Sequence, residues 1–142
     1  MVVESLRTFL ADSYTLYLKT QNYHWNVTGP QFESLHVLFE KQYTDLAAAI
    51  DEVAERIRAL GEKSPGSFSY FGKLTSVKEE EGSPAAMQMV KNLANDNRTL
   101  AESAEKVIKA AQEIGDEGTA DLAIGRLKAH QKSAWMLDAH AG

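Results

Sequence analysis

The feature that most restricts the fold is a run of 30 residues, Gln31 to Leu60, with neither Gly nor Pro, bracketed by Gly29-Pro30 and Gly61. Within it Phe32, Leu35, Phe39, Leu46, Ile50, Val53, Ile57 and Leu60 recur at spacings of three, four or seven residues. That is the period of one helical face. At ~1.5 Å per residue such a helix is ~45 Å long, against an average of ~11–12 residues in globular proteins. An apolar stripe of that length is buried only by partners of similar length, so the chain must be a helical bundle. Gly61 stands where a helix C′ residue belongs.

Three further stretches carry the same period, and almost nothing alternates with period two. The first runs from Glu4 to Trp25, with Leu6, Phe9, Leu10, Tyr14, Tyr17 and Gln21 on one side, and Gly29-Pro30 closes it. Ser83-Pro84 reads as an N-cap followed by Pro at the first helical position. It opens a helix to Ile114 that turns Met87, Val90, Leu93, Leu100, Val107, Ile108 and Ala111 inward, and Gly115 stops it. The last helix starts at Asp116 or Glu117 and carries Ala120, Ala123, Leu127, Ala134 and Leu137. Glu62 to Gly82 is a 21-residue connection whose SFSYFGKL centre can form a docked helical turn. Two helices, a long crossover and two more helices give an all-α, ferritin-like four-helix bundle in a single domain over residues 1–142.

Composition narrows the chemistry. With no Cys among 142 residues, thiol catalysis, Fe–S clusters and Cys-ligated zinc are excluded. The longest apolar run, Leu46 to Ile50, is five residues against the ~20 needed to span a bilayer. The N-terminal MVVESLRTFL meets Glu at its fourth residue and lacks a basic leader region, so a cytoplasmic protein without membrane attachment is expected. The net charge of -5, from 15 Lys+Arg and 20 Asp+Glu, argues against a surface built for phosphate neutralisation.

Few ligand-type side chains fall at informative spacings: His24 at the end of the first helix, then His36, Glu40, Asp51 and Glu55 on the second. His36/Glu40 and Asp51/Glu55 are i,i+4 pairs, each presenting two ligand groups on one face. An exposed carboxylate pair is ordinarily just solvated, and a His beside Leu35 and Phe39 is ordinarily a hydrogen-bonded core or surface group. The two pairs lie 15 residues apart, ~22 Å along the axis, so one chain cannot bring both to one ion. Two chains can. Antiparallel packing of the long helix on its own copy about a two-fold axis near residue 45 or 46 sets 36/40 of one chain against 51/55 of the other. Ala47-Ala48-Ala49, at that crossing, would allow close approach. Such a set of imidazole and carboxylate suits Fe(II), Mn(II) or Zn(II), with His24 as a further ligand. A second acidic group, Asp116, Glu117 and Asp121, opens the last helix, where carboxylates complement the helix dipole.

The stretch YHWNVTGPQFESLHVLFEKQYTDLAAAIDEVAERIRALG, Tyr23 to Gly61, resembles the signature of the Dps family, the miniferritins named as DNA-binding proteins from starved cells. The likeness continues more loosely through GDEGTADL to the terminal HQKSAWML. The resemblance implies a ferroxidase centre between two-fold related subunits, with His24, His36 and Glu40 from one and Asp51 and Glu55 from its partner. The family usually has Asp at the position of Glu40, so this chain departs by one methylene. The implied activity is oxidation of bound Fe(II), preferentially by hydrogen peroxide, with ferric oxide stored in a homododecameric shell. Trp25 matches the family's Trp beside the centre, where it either packs or absorbs an oxidising equivalent. Asp121, with Asp116 behind it, matches a segment lining acidic pores through which Fe(II) enters. The family name raises a rival function in DNA compaction. Members that coat DNA commonly use Lys-rich extensions, whereas here the only early cation is Arg7 and the chain ends in HAG, which argues against DNA as a partner.

Overall fold

A computed structural model of the chain describes all 142 residues and contains helices only. These are α1 (Val2–Asn26), α2 (Phe32–Ala59), α3 (Phe68–Leu74), α4 (Ala86–Glu113) and α5 (Glu117–Ala141). The four long helices build the expected bundle, and α3 is the short helix of the crossover. Polar links fix their directions. Lys19 of α1 pairs with Asp96 of α4, and Tyr23 further along α1 meets Asn92, so numbers rise on one helix as they fall on the other. The same order holds between α2 and α5, joined by Asp45–Arg126 and Arg56–Asp116. Short turns make α1–α2 and α4–α5 antiparallel hairpins as well. The diagonal pair α2 and α4 is therefore parallel, and successive parallel helices require a connection that travels the length of the bundle.

That connection runs beside α1. Asp12, Lys19 and Tyr23 share one stripe of α1 and bind successive points of the crossover. Asp12 accepts from Thr75 Oγ1 at 2.9 Å and from the Ser76 amide at 2.7 Å. Lys19 Nζ donates to the Lys78 carbonyl at 2.7 Å, and the Tyr23 hydroxyl donates to Glu80 Oε1 at 2.5 Å. The rise from Asp12 to Tyr23 on the helix is ~16 Å, and the five steps from Thr75 to Glu80 in extended chain cover ~17 Å. The match lets one helix act as a ruler for an otherwise irregular segment.

The core lies where the stripes converge. Leu6, Phe9 and Leu10 of α1, Phe39, Val53 and Ile57 of α2, Leu93 and Leu100 of α4, and Leu137 of α5 are all fully enclosed. Between α4 and α5 the buried residues are largely small, Ala104, Ala111, Ala120 and Ala123 among them, so these two helices approach closely. Gly61 and Gly115 take positive φ, +94° and +73°, just past the ends of α2 and α4, as C′ residues do.

Three expectations need correction. First, α1 is longer than Glu4 to Trp25 at both ends, and it stops before Gly29 because Val27 is already extended. Second, Phe32 leaves the stripe. It is 43% exposed and lies on the outside of the His36 ring. Third, Ser83-Pro84 does not open α4. The helix begins at Ala86 with Ala85 as an N-cap that no side chain satisfies. The chain before it is positioned by Glu80, whose Oε2 accepts from the Gly82 amide at 2.9 Å while its Oε1 holds Tyr23. No helix is long and apolar enough to cross a membrane.

Candidate metal centre

The tight turn after α1 folds the first turns of α2 back along the last turn of α1. His24 and His36 meet there as a stacked pair, with centroids 3.8 Å apart and planes 15° from parallel. Each imidazole is bonded through Nδ1 to the other's backbone carbonyl, both at 2.7 Å. The His24 carbonyl belongs to the last turn of α1, where the helix supplies no amide partner, so His36 satisfies an otherwise orphaned acceptor. A carbonyl can only accept, so both Nδ1 atoms carry hydrogen, and in the neutral ring this tautomer leaves the lone pair on Nε2. Such outer hydrogen bonds fix the tautomer and orientation of a metal-ligating His.

The ligand atoms of His24, His36 and Glu40 lie within 4.8 Å of one another. A divalent ion with bonds of ~2.0–2.2 Å reaches all three with small side-chain adjustment. Around them the walls are aromatic. Phe32 stacks on His36 with centroids 4.9 Å apart, and Tyr43 stands edge-on to His24 at 5.2 Å. His24 is 8% exposed, whereas Glu40 faces outward. The triad can thus hold one side of an ion and leaves the other side open.

Asp51 and Glu55 are not brought to this triad. Both are exposed on α2, closer to the opposite end of the bundle. Glu40 and Asp51, eleven residues apart, fall on one outward stripe of α2 with the exposed Ala47 and Ala48 between them. The acidic start of α5 is divided in its behaviour. Asp116 is the N-cap of α5, accepting from the Thr119 amide at 3.1 Å and hydroxyl at 2.6 Å, and it pairs with Arg56 at 3.0 Å. The Thr119 hydroxyl bond first, and Arg56 after it, hold its carboxyl below the ordinary carboxylate range. Asp121 is exposed. Trp25 is 60% exposed and borders a surface cleft with Leu18 and Phe68 rather than the core.

Sequence reasoning missed the aromatic walls and the reciprocal carbonyl bonds. Phe32, one turn before His36, falls on the apolar stripe by its spacing, yet it packs on the His36 ring instead of in the core. The bonds depend on how the two helix ends meet, which spacing within one helix does not encode.

The ferritin-like domain family matches residues 3–142. A DNA protection during starvation protein of Porphyromonas gingivalis is 41% identical over 140 residues, spanning 99% of this chain and 88% of that protein. A low temperature-induced protein of Nostoc sp. is 44% identical over 138 residues, spanning 96% of this chain and 77% of its own length. Among solved structures, Dps from Staphylococcus aureus superposes with a TM-score of 0.96 at 35% identity, covering 99% of this chain and 95% of that one. The Dps protein of Vibrio cholerae, described as a member of a broad superfamily of ferritin-like diiron-carboxylate proteins, gives 0.95 at 35% identity, covering 99% and 89%. With the family matched over nearly its whole length, the chain belongs to the Dps proteins of the ferritin-like family.

Proposed function

We propose that the chain is a ferroxidase that oxidises Fe(II), preferentially with hydrogen peroxide, at sites shared by two subunits, and stores the ferric product in a dodecameric shell. The observation that carries this reading is the His24, His36 and Glu40 triad. It is orientated for a metal by its own backbone, yet it supplies only part of a coordination sphere. Asp51 and Glu55, exposed on the same face of α2, are the groups a second copy would bring to it.

The ligand chemistry suits the substrate. Neutral imidazoles hold ferrous iron, and anionic carboxylates favour the ferric product. Peroxide takes two electrons from two ferrous ions, so no hydroxyl radical need leave the site. Ferrous ions would reach the interior past the acidic starts of α5. There Asp121 is the free carboxylate, and Asp116 stands behind it, bound to Arg56. Clustered negative charge raises the local concentration of cations.

The test is to load the protein with Fe(II) without oxygen and then add peroxide. Rapid oxidation and soluble ferric cores are expected. Asp51→Ala with Glu55→Ala should slow it by at least ~10–100-fold, the loss typical when even supporting groups of a metal site are removed. Oxidation at the parent rate in that variant would show the carboxylates to be surface groups.

A further inference from the structure

An unbroken file of aromatic rings starts on one of the proposed iron ligands and ends at the surface. From His24 it passes to Tyr43 at 5.2 Å, from Tyr43 to Tyr17 at 5.9 Å, and from Tyr17 to Tyr14 at 5.7 Å between ring centroids. Tyr14 stacks on Phe71 of α3 at 5.2 Å, and both border a surface cleft of about 540 Å³. The phenol groups of Tyr14, Tyr17 and Tyr43 are not needed for packing. All three residues are half-buried, and within the chain none of their hydroxyls is bonded to a protein group or counts among the buried atoms without a partner, so no group of the chain claims the oxygens. Phenylalanine would fill the same positions. Tyr23 is different, because its hydroxyl is committed to Glu80 and Asn92 and its ring packs on Phe39.

What tyrosine adds to phenylalanine is one-electron oxidation with loss of the phenolic proton. We propose that Tyr43, Tyr17 and Tyr14 form a relay that carries a one-electron oxidising equivalent from the metal centre to the surface cleft. It operates when hydrogen peroxide meets a centre that holds a single ferrous ion. This inference rests on the ferroxidase reading above.

The electrons balance. Hydrogen peroxide with two protons needs two electrons to become two waters. One comes from Fe(II), which becomes Fe(III), and the other from Tyr43, whose phenolic proton passes to water as the phenoxyl radical forms. The radical moves when Tyr17, and then Tyr14, gives up an electron and a proton and the preceding phenoxyl regains both. A later ferrous ion, with a proton from water, restores the last phenol and leaves as ferric iron. Electron tunnelling falls steeply with distance, so steps between neighbouring rings outcompete a single jump to the surface.

The test uses substoichiometric Fe(II), added peroxide, freeze-quenched electron paramagnetic resonance, and a nitroso spin trap whose adducts are located by peptide mass. The parent should oxidise iron, show a tyrosyl signal and carry adducts at Tyr14. Tyr43→Phe should lose that signal and release trapped hydroxyl radical, with anaerobic Fe(II) binding as its folding control. Tyr17→Phe should stop the radical at Tyr43 and abolish the Tyr14 adduct. Tyr70→Phe, exposed on α3 and outside the file, should match the parent. Tyr14 adducts that persist in both Tyr43→Phe and Tyr17→Phe would overturn the relay, as would a signal that disappears only in Tyr23→Phe or Trp25→Phe. A parent that oxidises iron with no tyrosyl signal overturns the relay alone. A parent that does not oxidise iron overturns the ferroxidase reading with it.

Discussion

His130 is 2% exposed on α5, and its burial and the neighbouring Arg126 favour the neutral ring. From α4, Asn97 Oδ1 accepts its Nδ1–H at 2.9 Å, and Asn97 is itself orientated by donating to the Leu93 carbonyl at 2.8 Å. Its neighbour one turn back, Arg126, donates to Nε2 at 3.2 Å, and Phe9 of α1 meets the ring edge-on. From α2, Asp45 pairs with the other end of the Arg126 guanidinium at 3.0 Å and is half-exposed. Burial, and then Arg126, push the His130 pKa down to about 3. An unfolded chain takes up that proton near ~6.5. Between those values the unfolded state binds more protons, so this contribution to stability is complete above ~6.5 and is lost as pH falls toward 3. The expected loss is up to ~1.4 kcal/mol per pH unit, measured as the denaturant midpoint across that window. His130→Gln, which does not titrate, should flatten the profile, and an unchanged acid slope would assign the sensitivity elsewhere. His36 is legible because it stands one turn from Glu40 on one helix, and His24 because it falls in the Tyr23 to Gly61 stretch that resembles the family's signature. His130 is not, because its meaning comes from Asn97, 33 residues away on another helix.

The same division separates the long helices from the crossover. Apolar stripes and the stop signals Gly61 and Gly115 mark α2, α5 and the end of α4 closely, because helix burial is a periodic property, whereas the start of α4 lies at Ala86 and not at Ser83-Pro84. The path of residues 62–85 could not be read this way. Its determinants, Asp12 and Lys19, are charged residues that periodicity assigns to the surface, yet both are buried against the crossover. Gly118 is a similar case. A Cβ there would lie 2.9 Å from Arg56 Nη2, so the glycine makes room for the guanidinium that ties the end of α2 to the start of α5. Asp12 offers the direct test of the crossover. Its carboxylate accepts from Thr75 and from both the amide and hydroxyl of Ser76, and bonds to a charged acceptor are worth ~1.5–3 kcal/mol. Asp12→Ala should therefore lower the unfolding free energy by about 2–3 kcal/mol and speed hydrogen exchange at residues 75–78 before it affects α4 or α5. Uniform exchange along the whole chain would mean that the crossover is held by other contacts.

In the whole molecule, the two halves of the proposed centre lie toward opposite ends of a single rigid helix. His24, His36 and Glu40 converge at one end, while Asp51 and Glu55 stay exposed three to four turns further along α2. A two-fold axis near the middle of α2 would turn this separation into two complete centres per dimer, and the small exposed side chains of Ala47 and Ala48 would permit the approach. The geometry can be tested without a structure of the assembly, by complementation. One variant carries His24→Ala and His36→Ala, and the other carries Asp51→Ala and Glu55→Ala. Each alone is expected to be slowed at least ~10–100-fold in peroxide-driven iron oxidation. In a dimer of one of each, one centre receives both defects and the other receives none, because its imidazoles come from the second variant and its carboxylates from the first. Random mixing makes half of the dimers mixed, so about one centre in four is restored, and co-refolded samples should recover activity in that proportion. If all the ligands belonged to one chain, every centre in the mixture would still lack one half, and no activity would return.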